Sequence, residues 1–279
     1  MTGTLIVNAD DYGRTPGVST GIRQAHLNGI VSSTTVMVNM PGALSQLKLA
    51  IDECPKLGFG VHLNLTIGPP CASPEEIPSL LDARGHFHNR STLMQSPECI
   101  ESSHAEIELR SQIHTFLEIG VHLDHLDSHH HVVAFNPSLW EIYLALADEY
   151  GCGVRPSYPS DVFQETLFHS FPASVLNFSQ TGAMERLRTS NLLYPDHFLA
   201  SFFGPGANLE HLLQLLEKLP QGVCELMCHP GYADALLLSK SGYAKERETE
   251  LALLTDPQVK QAILESDLRL CTYREAWNL

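Results

Sequence analysis

Short apolar runs and segments with helical apolar spacing alternate along most of this chain. The run Thr4-Leu-Ile-Val-Asn8 is apolar and rich in strand formers, as expected of a strand buried on both faces. From Gly17 to Asn28, Val18, Ile22 and Ala25 fall on one helical face, with Gly29 as the stop. Val31–Val38 reads as a second strand. Pro41–Glu53 reads as a second helix, with Leu44, Leu47 and Ile51 inward. Leu57–Leu65 is a third strand, with His62 near its carboxyl end.

The rhythm then breaks. Residues 66 to 95 carry Gly68-Pro-Pro, Ser73-Pro, Ile77-Pro and Gly85-His-Phe-His88. They read as a loop insertion over one end of the fold, a lid or substrate wall. His86 and His88 read as exposed turn residues rather than ligands.

Pro97–Gly120 reads as a long helix. Val121–Asp127 alternates with period two, as a strand does, placing His125 and Asp127 on one face, with Ser128 to His131 as the loop that follows. Asn136-Pro137 opens a helix to Tyr150, whose stripe is Leu139, Tyr143, Leu146, Ala147 and Tyr150. Gly153–Pro156 reads as a short strand ending at Arg155. The segment 157–207 holds four prolines and resists assignment, except for one strand and one helix within Leu187–Phe203. Asn208 caps a helix to Leu219, and Gly222–Cys228 is a buried strand running into His229-Pro-Gly231. Helices at Tyr243–Leu254 and Asp256–Glu265 and a strand at Leu268–Thr272 complete the chain.

Strands alternating with helices predict parallel βαβ units. The expected fold class is α/β, a distorted parallel (β/α) barrel. At 279 residues the length suits one barrel domain spanning 1–279.

Composition narrows the function. The net charge of −15 argues against nucleic acid or an anionic membrane as partner. No apolar run approaches the roughly 20 residues of a membrane span, and the first residues lack a basic segment followed by an apolar core. Seven scattered cysteines suit buried thiols in a reducing compartment. The expectation is a cytoplasmic protein, with a homodimer as the base-rate assembly.

Candidate chemistry collects at the carboxyl ends of the expected strands. His122-Leu-Asp-His-Leu-Asp-Ser-His-His-His131 packs five histidines and two aspartates into ten residues. Imidazole and carboxylate are the usual ligands of a divalent first-row ion. Asp10 and Asp11 repel each other unless something positive lies nearby. His62, Asp127, His129 and His229 share the same strand-end position, the face where α/β barrels build active sites. Glycine-rich phosphate loops, dinucleotide fingerprints and serine nucleophile elbows are absent.

Five blocks also resemble the YdjC-like carbohydrate deacetylases, a family that includes chitooligosaccharide deacetylases. They are Leu5-Ile-Val-Asn-Ala-Asp-Asp-Tyr-Gly13, Gly29-Ile-Val-Ser-Ser-Thr-Thr35, Gly60-Val-His-Leu-Asn-Leu-Thr66, His125-Leu-Asp-Ser-His-His-His-Val132 and Glu225-Leu-Met-Cys-His-Pro-Gly231. The resemblance implies a distorted barrel similar to the polysaccharide deacetylases, and a divalent metal held by Asp11, His62 and His129. It implies Asp10 as general base and His229 as general acid. The expected substrate is a small N-acetylated amino sugar, and the expected reaction is removal of its acetyl group. Mg²⁺ is the ion the resemblance implies; two imidazole ligands favour Zn²⁺ or another transition metal on softness. Asp127, His131 and Arg155 are expected to contact substrate or to orient the other groups, Asp127 by holding an imidazole and Arg155 by holding Asp10. One departure stands out: relatives often continue the triple histidine with Val-His, whereas here it runs His131-Val-Val133. A metal-dependent phosphoesterase or sugar isomerase on a similar scaffold, and a non-catalytic sugar-binding protein, are the alternatives.

Overall fold

Among the described residues, seven parallel strands and a short eighth curl into an open barrel with helices on the outside. The computed structural model describes residues 3–96, 99–161 and 172–278. In chain order the strands are β1 (Thr4–Tyr12), β2 (Ser33–Val36), β3 (Gly58–Leu63), β4 (His125–Ser128), β5 (Gly153–Val154), β6 (His197–Leu199) and β7 (Val223–Cys228), with a short β8 (Arg269–Leu270). Their order across the sheet is β5-β4-β3-β2-β1-β7-β6, and β8 pairs the start of β1. β2 joins β1 only from Asn8 onward, whereas β8 pairs Thr4 and Leu5. Between β5 and β6 the wall is irregular: Val154 N–H donates to Leu193 O, and Ser160 N–H to Phe198 O. The expected distorted α/β barrel is what forms.

The helices are α1 (Pro16–Leu27), α2 (Ala43–Glu53), α3 (Arg90–Gln95), α4 (Ser102–Leu117), α5 (Pro137–Tyr150), α6 (Ala173–Asn177), α7 (Met184–Thr189), α8 (Leu209–Glu217), α9 (Ala235–Lys240), α10 (Lys245–Leu254), α11 (Pro257–Glu265) and α12 (Tyr273–Trp277). Local chemistry sets many of their ends. Thr15, Asn136, Asn208 and Asp256 each accept a backbone N–H in the first turn of α1, α5, α8 and α11. Val18, Ile22 and Ala25 of α1 are fully buried, and truncating a residue such as Ile22 is expected to cost about 2–5 kcal/mol.

Several boundaries differ from the sequence reading. The helix expected from Pro97 begins at Ser102; residues 97 and 98 lie outside the described set, as do 162–171 within the unassigned segment. The strand expected from Val121 begins at His125, although Asp124 N–H already donates to Phe59 O. The insertion at 66–95 contains a bridge between Leu81 and Phe87 as well as α3. It is tied down by Glu108 of α4, whose buried carboxylate accepts the N–H groups of Cys71 and Ala72. Neither α9 nor α12 was anticipated. No helix among the described residues is long and apolar enough to cross a membrane.

Candidate functional site

Consecutive side chains of a strand point to opposite faces, so Asp10 and Asp11 cannot both face one cavity from a regular β1. The strand solves this locally. Asp11 adopts φ 72°, and the register with β2 slips between Ala9 and Tyr12. A non-glycine residue in the left-handed region is uncommon and costs energy. Here it turns both carboxylates onto one cavity of about 310 Å³. Both are almost completely buried.

β3 and β4 bring His62 and Asp127 together, because the two residues are register partners. His62 Nδ1 lies 2.6 Å from Asp127 Oδ1, and Thr35 Oγ1 donates to Asp127 Oδ2 at 3.0 Å. The carboxylate therefore accepts a hydrogen bond from Nδ1–H and leaves His62 Nε2 aimed at the cavity. The imidazole that Asp127 orients is thus His62, not its sequence neighbour His129.

Beyond β4 the chain does not stay extended. His130 and His131 have φ 57° and 55°, so the three adjacent imidazoles do not diverge as they would along a strand. The rings of His129 and His130 lie 3.9 Å apart, and His130 Nδ1 is 3.0 Å from Thr66 Oγ1. His131 is buried, lines the cavity and stands near Phe198. His86 and His88 do not reach the cavity lining; His86 is exposed.

Asp11 Oδ1, His62 Nε2 and His129 Nδ1 form a small triangle. Its edges are 2.9 Å from His129 to Asp11, 3.4 Å from His62 to Asp11 and 3.3 Å between the imidazoles. Asp11 Oδ1 is buried and accepts no hydrogen bond. Ligand bonds of about 2.0–2.2 Å at tetrahedral or octahedral angles span about 2.8–3.6 Å between ligand atoms. The donor set therefore fits a divalent ion. Asp10, His62 and Asp127 also lie close together, but Arg155 occupies that group. Its Nη1 is 2.7 Å from Asp10 and 2.9 Å from Asp127, leaving no need for a second cation.

Arg155 is buried and anchors the interior charge network. It grips Asp10 through two hydrogen bonds of 2.7 Å and reaches Glu225 at 2.8 Å. Burial alone would push the Asp10 carboxyl up, but Arg155 overrides it and holds Asp10 well below the usual carboxylate range. Asp11 moves the same way: burial opposes ionisation, and His129, Arg247 and Arg14 outweigh it. For His62 burial disfavours charge, yet Asp127 and Asp11 raise it to about 10 without metal. Burial lowers His129 to about 4 and His229 to about 3.

His229 enters from the far side, just after β7. Its Nε2 is 3.8 Å from Asp10 Oδ2. The loop behind it is seated by close packing: a Cβ on Gly21 of α1 would lie 2.5 Å from Gly231 Cα. Phe203 and Tyr243 stack at 4.2 Å beside the His229 ring, and both line the cavity.

Sequence reasoning missed Arg14, Phe203, Tyr243, Arg247 and Glu250. Arg14 Nη1 reaches Asp11 at 3.4 Å and His129 Nε2 at 3.3 Å, while Arg247 bonds Asp11 from α10. The available signal was the spacing of Arg247 and Glu250, three apart on one face of α10, with Tyr243 just before the helix. It reads as solvated because the residues are polar.

Residues 4–265 match the family described as YdjC-like protein. A carbohydrate deacetylase of Brevibacillus brevis is 39% identical over 274 residues, covering 97% of this chain and 98% of the relative. One from Thermoanaerobacter pseudethanolicus is 35% identical over 269 residues, covering 96% and 97%. Among solved structures, an Enterococcus faecalis protein given the provisional description of cellobiose-phosphate cleavage protein superposes with a TM-score of 0.85. It is 32% identical, with 99% of both chains covered. The lactam utilization protein of Thermus thermophilus shares the fold at a TM-score of 0.51 and 12% identity, covering 96% and 99%. Identity above 30% along nearly the whole length, together with the family match, places this chain in the YdjC-like family.

Proposed function

We propose that this chain is a metal-dependent carbohydrate deacetylase that removes the acetyl group from N-acetylated amino sugars, small chitooligosaccharides in particular. The observation that carries the reading is the Asp11, His62 and His129 triangle, flanked by Asp10 and His229 in one cavity. The deacetylase names of the curated relatives support it.

Asp11, His62 and His129 would hold one divalent ion, Mg²⁺ by family likeness, with Zn²⁺ or another transition ion suiting the imidazoles. Bound there, such an ion polarises the acetyl carbonyl and acidifies water. Asp10 is ionised at neutral pH and fixed by Arg155, so it is ready to take the proton of the attacking water. His229 Nε2 faces Asp10 across 3.8 Å. It collects that proton and delivers it to the departing amine nitrogen. Phe203 and Tyr243 give the sugar an aromatic wall, and His130, His131 and Ile67 line the rest of the cavity. The insertion carrying Thr66 and Arg90 forms one side of the entrance. None of the seven cysteines forms a disulfide, which supports a reducing compartment, the cytoplasm.

The test is acetate release from diacetylchitobiose and related N-acetyl sugars, with and without EDTA. The reading expects release that stops on chelation and returns with metal. No acetate from any N-acetyl sugar would sink the substrate class. Release indifferent to EDTA would sink the metal mechanism.

A further inference from the structure

His229 has an unfinished side. Its Nε2 faces Asp10 and the cavity, while its Nδ1 is buried without a hydrogen-bond partner. Behind Nδ1, at 3.9 Å, lies Oε1 of Glu250, a fully buried carboxylate of α10. Glu250 is already tied to this histidine, because its Oε2 accepts the His229 backbone N–H. Tyr243 OH donates to Oε1 at 2.5 Å and itself accepts the N–H of Gly204 at 2.9 Å. A carboxylate oxygen has a second lone pair to offer, and closing 3.9 Å to a hydrogen bond takes a ring shift of about 1 Å.

We propose that Glu250 is a positioning residue for His229: it orients the ring through Nδ1–H and carries the counter-charge when the ring becomes imidazolium during turnover. Tyr243 holds the carboxylate in place for that task. The inference rests on reading His229 as the proton donor to the amine. It also answers a difficulty in that reading. Asp10 already belongs to Arg155, and the cations facing His229, Arg247 on α10 and Arg155 just after β5, oppose its protonation. A buried imidazolium needs an anion of its own, and Glu250 is the carboxyl behind it: burial pushes it up to about 7, and a positive charge arriving on His229 favours its ionised form. A purely architectural Glu250, kept only to cap the His229 backbone, would be replaceable by glutamine, which retains an acceptor oxygen.

Glu250→Gln, His229→Ala and the double variant, assayed on an N-acetyl sugar, separate these cases. We expect Glu250→Gln to keep KM within about twofold and to lose about 10–100-fold in kcat, the usual scale for a group that orients a catalytic one. Acting through His229, it should add nothing to His229→Ala. Wild-type kcat in Glu250→Gln, or losses that multiply in the double variant, would overturn the proposal. His229→Ala at the wild-type rate would instead remove the proton-donor reading beneath it. Nitrogen-15 histidine NMR of the wild-type protein decides the matter even if Glu250→Gln does not fold. Nδ1 of His229 should carry the proton in the neutral ring, and a bare Nδ1 would overturn the assignment.

Discussion

His125 and His129 stand four residues apart, both buried, yet they live in different chemistries. His125 sits on the barrel floor, its ring stacked on Tyr273 at 3.7 Å and 2°, with neither nitrogen hydrogen-bonded. Burial holds it well below the ordinary histidine range, so it is neutral there. His129 sits on the rim, with Nδ1 2.9 Å from Asp11. The two differ in what faces the ring rather than in residue type or burial. On the floor an aromatic face meets the imidazole, which serves as packing. At the rim a carboxylate and a second imidazole converge on it, and the same side chain becomes a ligand candidate.

The strongest way to break this contrast is to remove the rim carboxylates. Asp11→Asn should lose bound metal, read by elemental analysis, and take acetate release to background. Asp10→Asn should keep the metal yet lose about 10²–10⁴-fold in turnover. Equal metal loss in both variants would overturn the division of roles between the neighbouring aspartates. Next in size, Asp127→Ala removes the 2.6 Å partner of His62 Nδ1. Metal affinity measured by titration should fall about 10–100-fold, and an unchanged affinity would show that the triangle holds itself.

A milder effect follows from pH. In EDTA, His62 with its folded pKa raised to about 10 adds stability that is complete below about 6.5 and fades as pH rises toward 10. His129 and His229, lowered to about 4 and about 3, add stability present above about 6.5 that is lost as pH falls through those values. The melting temperature of metal-free protein should therefore peak near neutrality. Saturating metal should lift the alkaline limb by displacing the His62 proton. A monotonic curve would contradict the opposed shifts. The smallest change belongs to the floor. His125→Phe preserves the aromatic stack and removes two unsatisfied nitrogens, so turnover should stay within about twofold and stability should change by about 1 kcal/mol or less. A large loss of activity would dissolve the distinction between floor and rim.

Much of the scaffold was legible because its signals are local. Val18, Ile22 and Ala25 share a helical face, and Asn136 before Pro137 caps a helix, whatever surrounds them. The Thr272-Tyr-Arg-Glu275 capping box that starts α12 is an equally local signal. The site was legible in part, since strand-end Asp and His residues stand out against apolar runs. Three features were not. The left-handed turn at His130 and His131 gives no periodicity. The partner of Asp127 is set by register between β3 and β4. α10 buries Arg247 and Glu250 along with Leu251 and Leu254, so its inward face lacks the apolar stripe by which such faces are recognised.

By itself the sequence determined the alternation of strands and helices, the helix caps and the set of groups able to do metal and proton chemistry. Those follow from side-chain period and from short-range hydrogen bonding. The tertiary structure decided which of the histidines face carboxylates, which carboxylates keep a guanidinium, and which helix turns its charges inward. Those are contacts between residues up to 236 positions apart, as Asp11 and Arg247 are, and only the curl of the sheet brings them within hydrogen-bond reach.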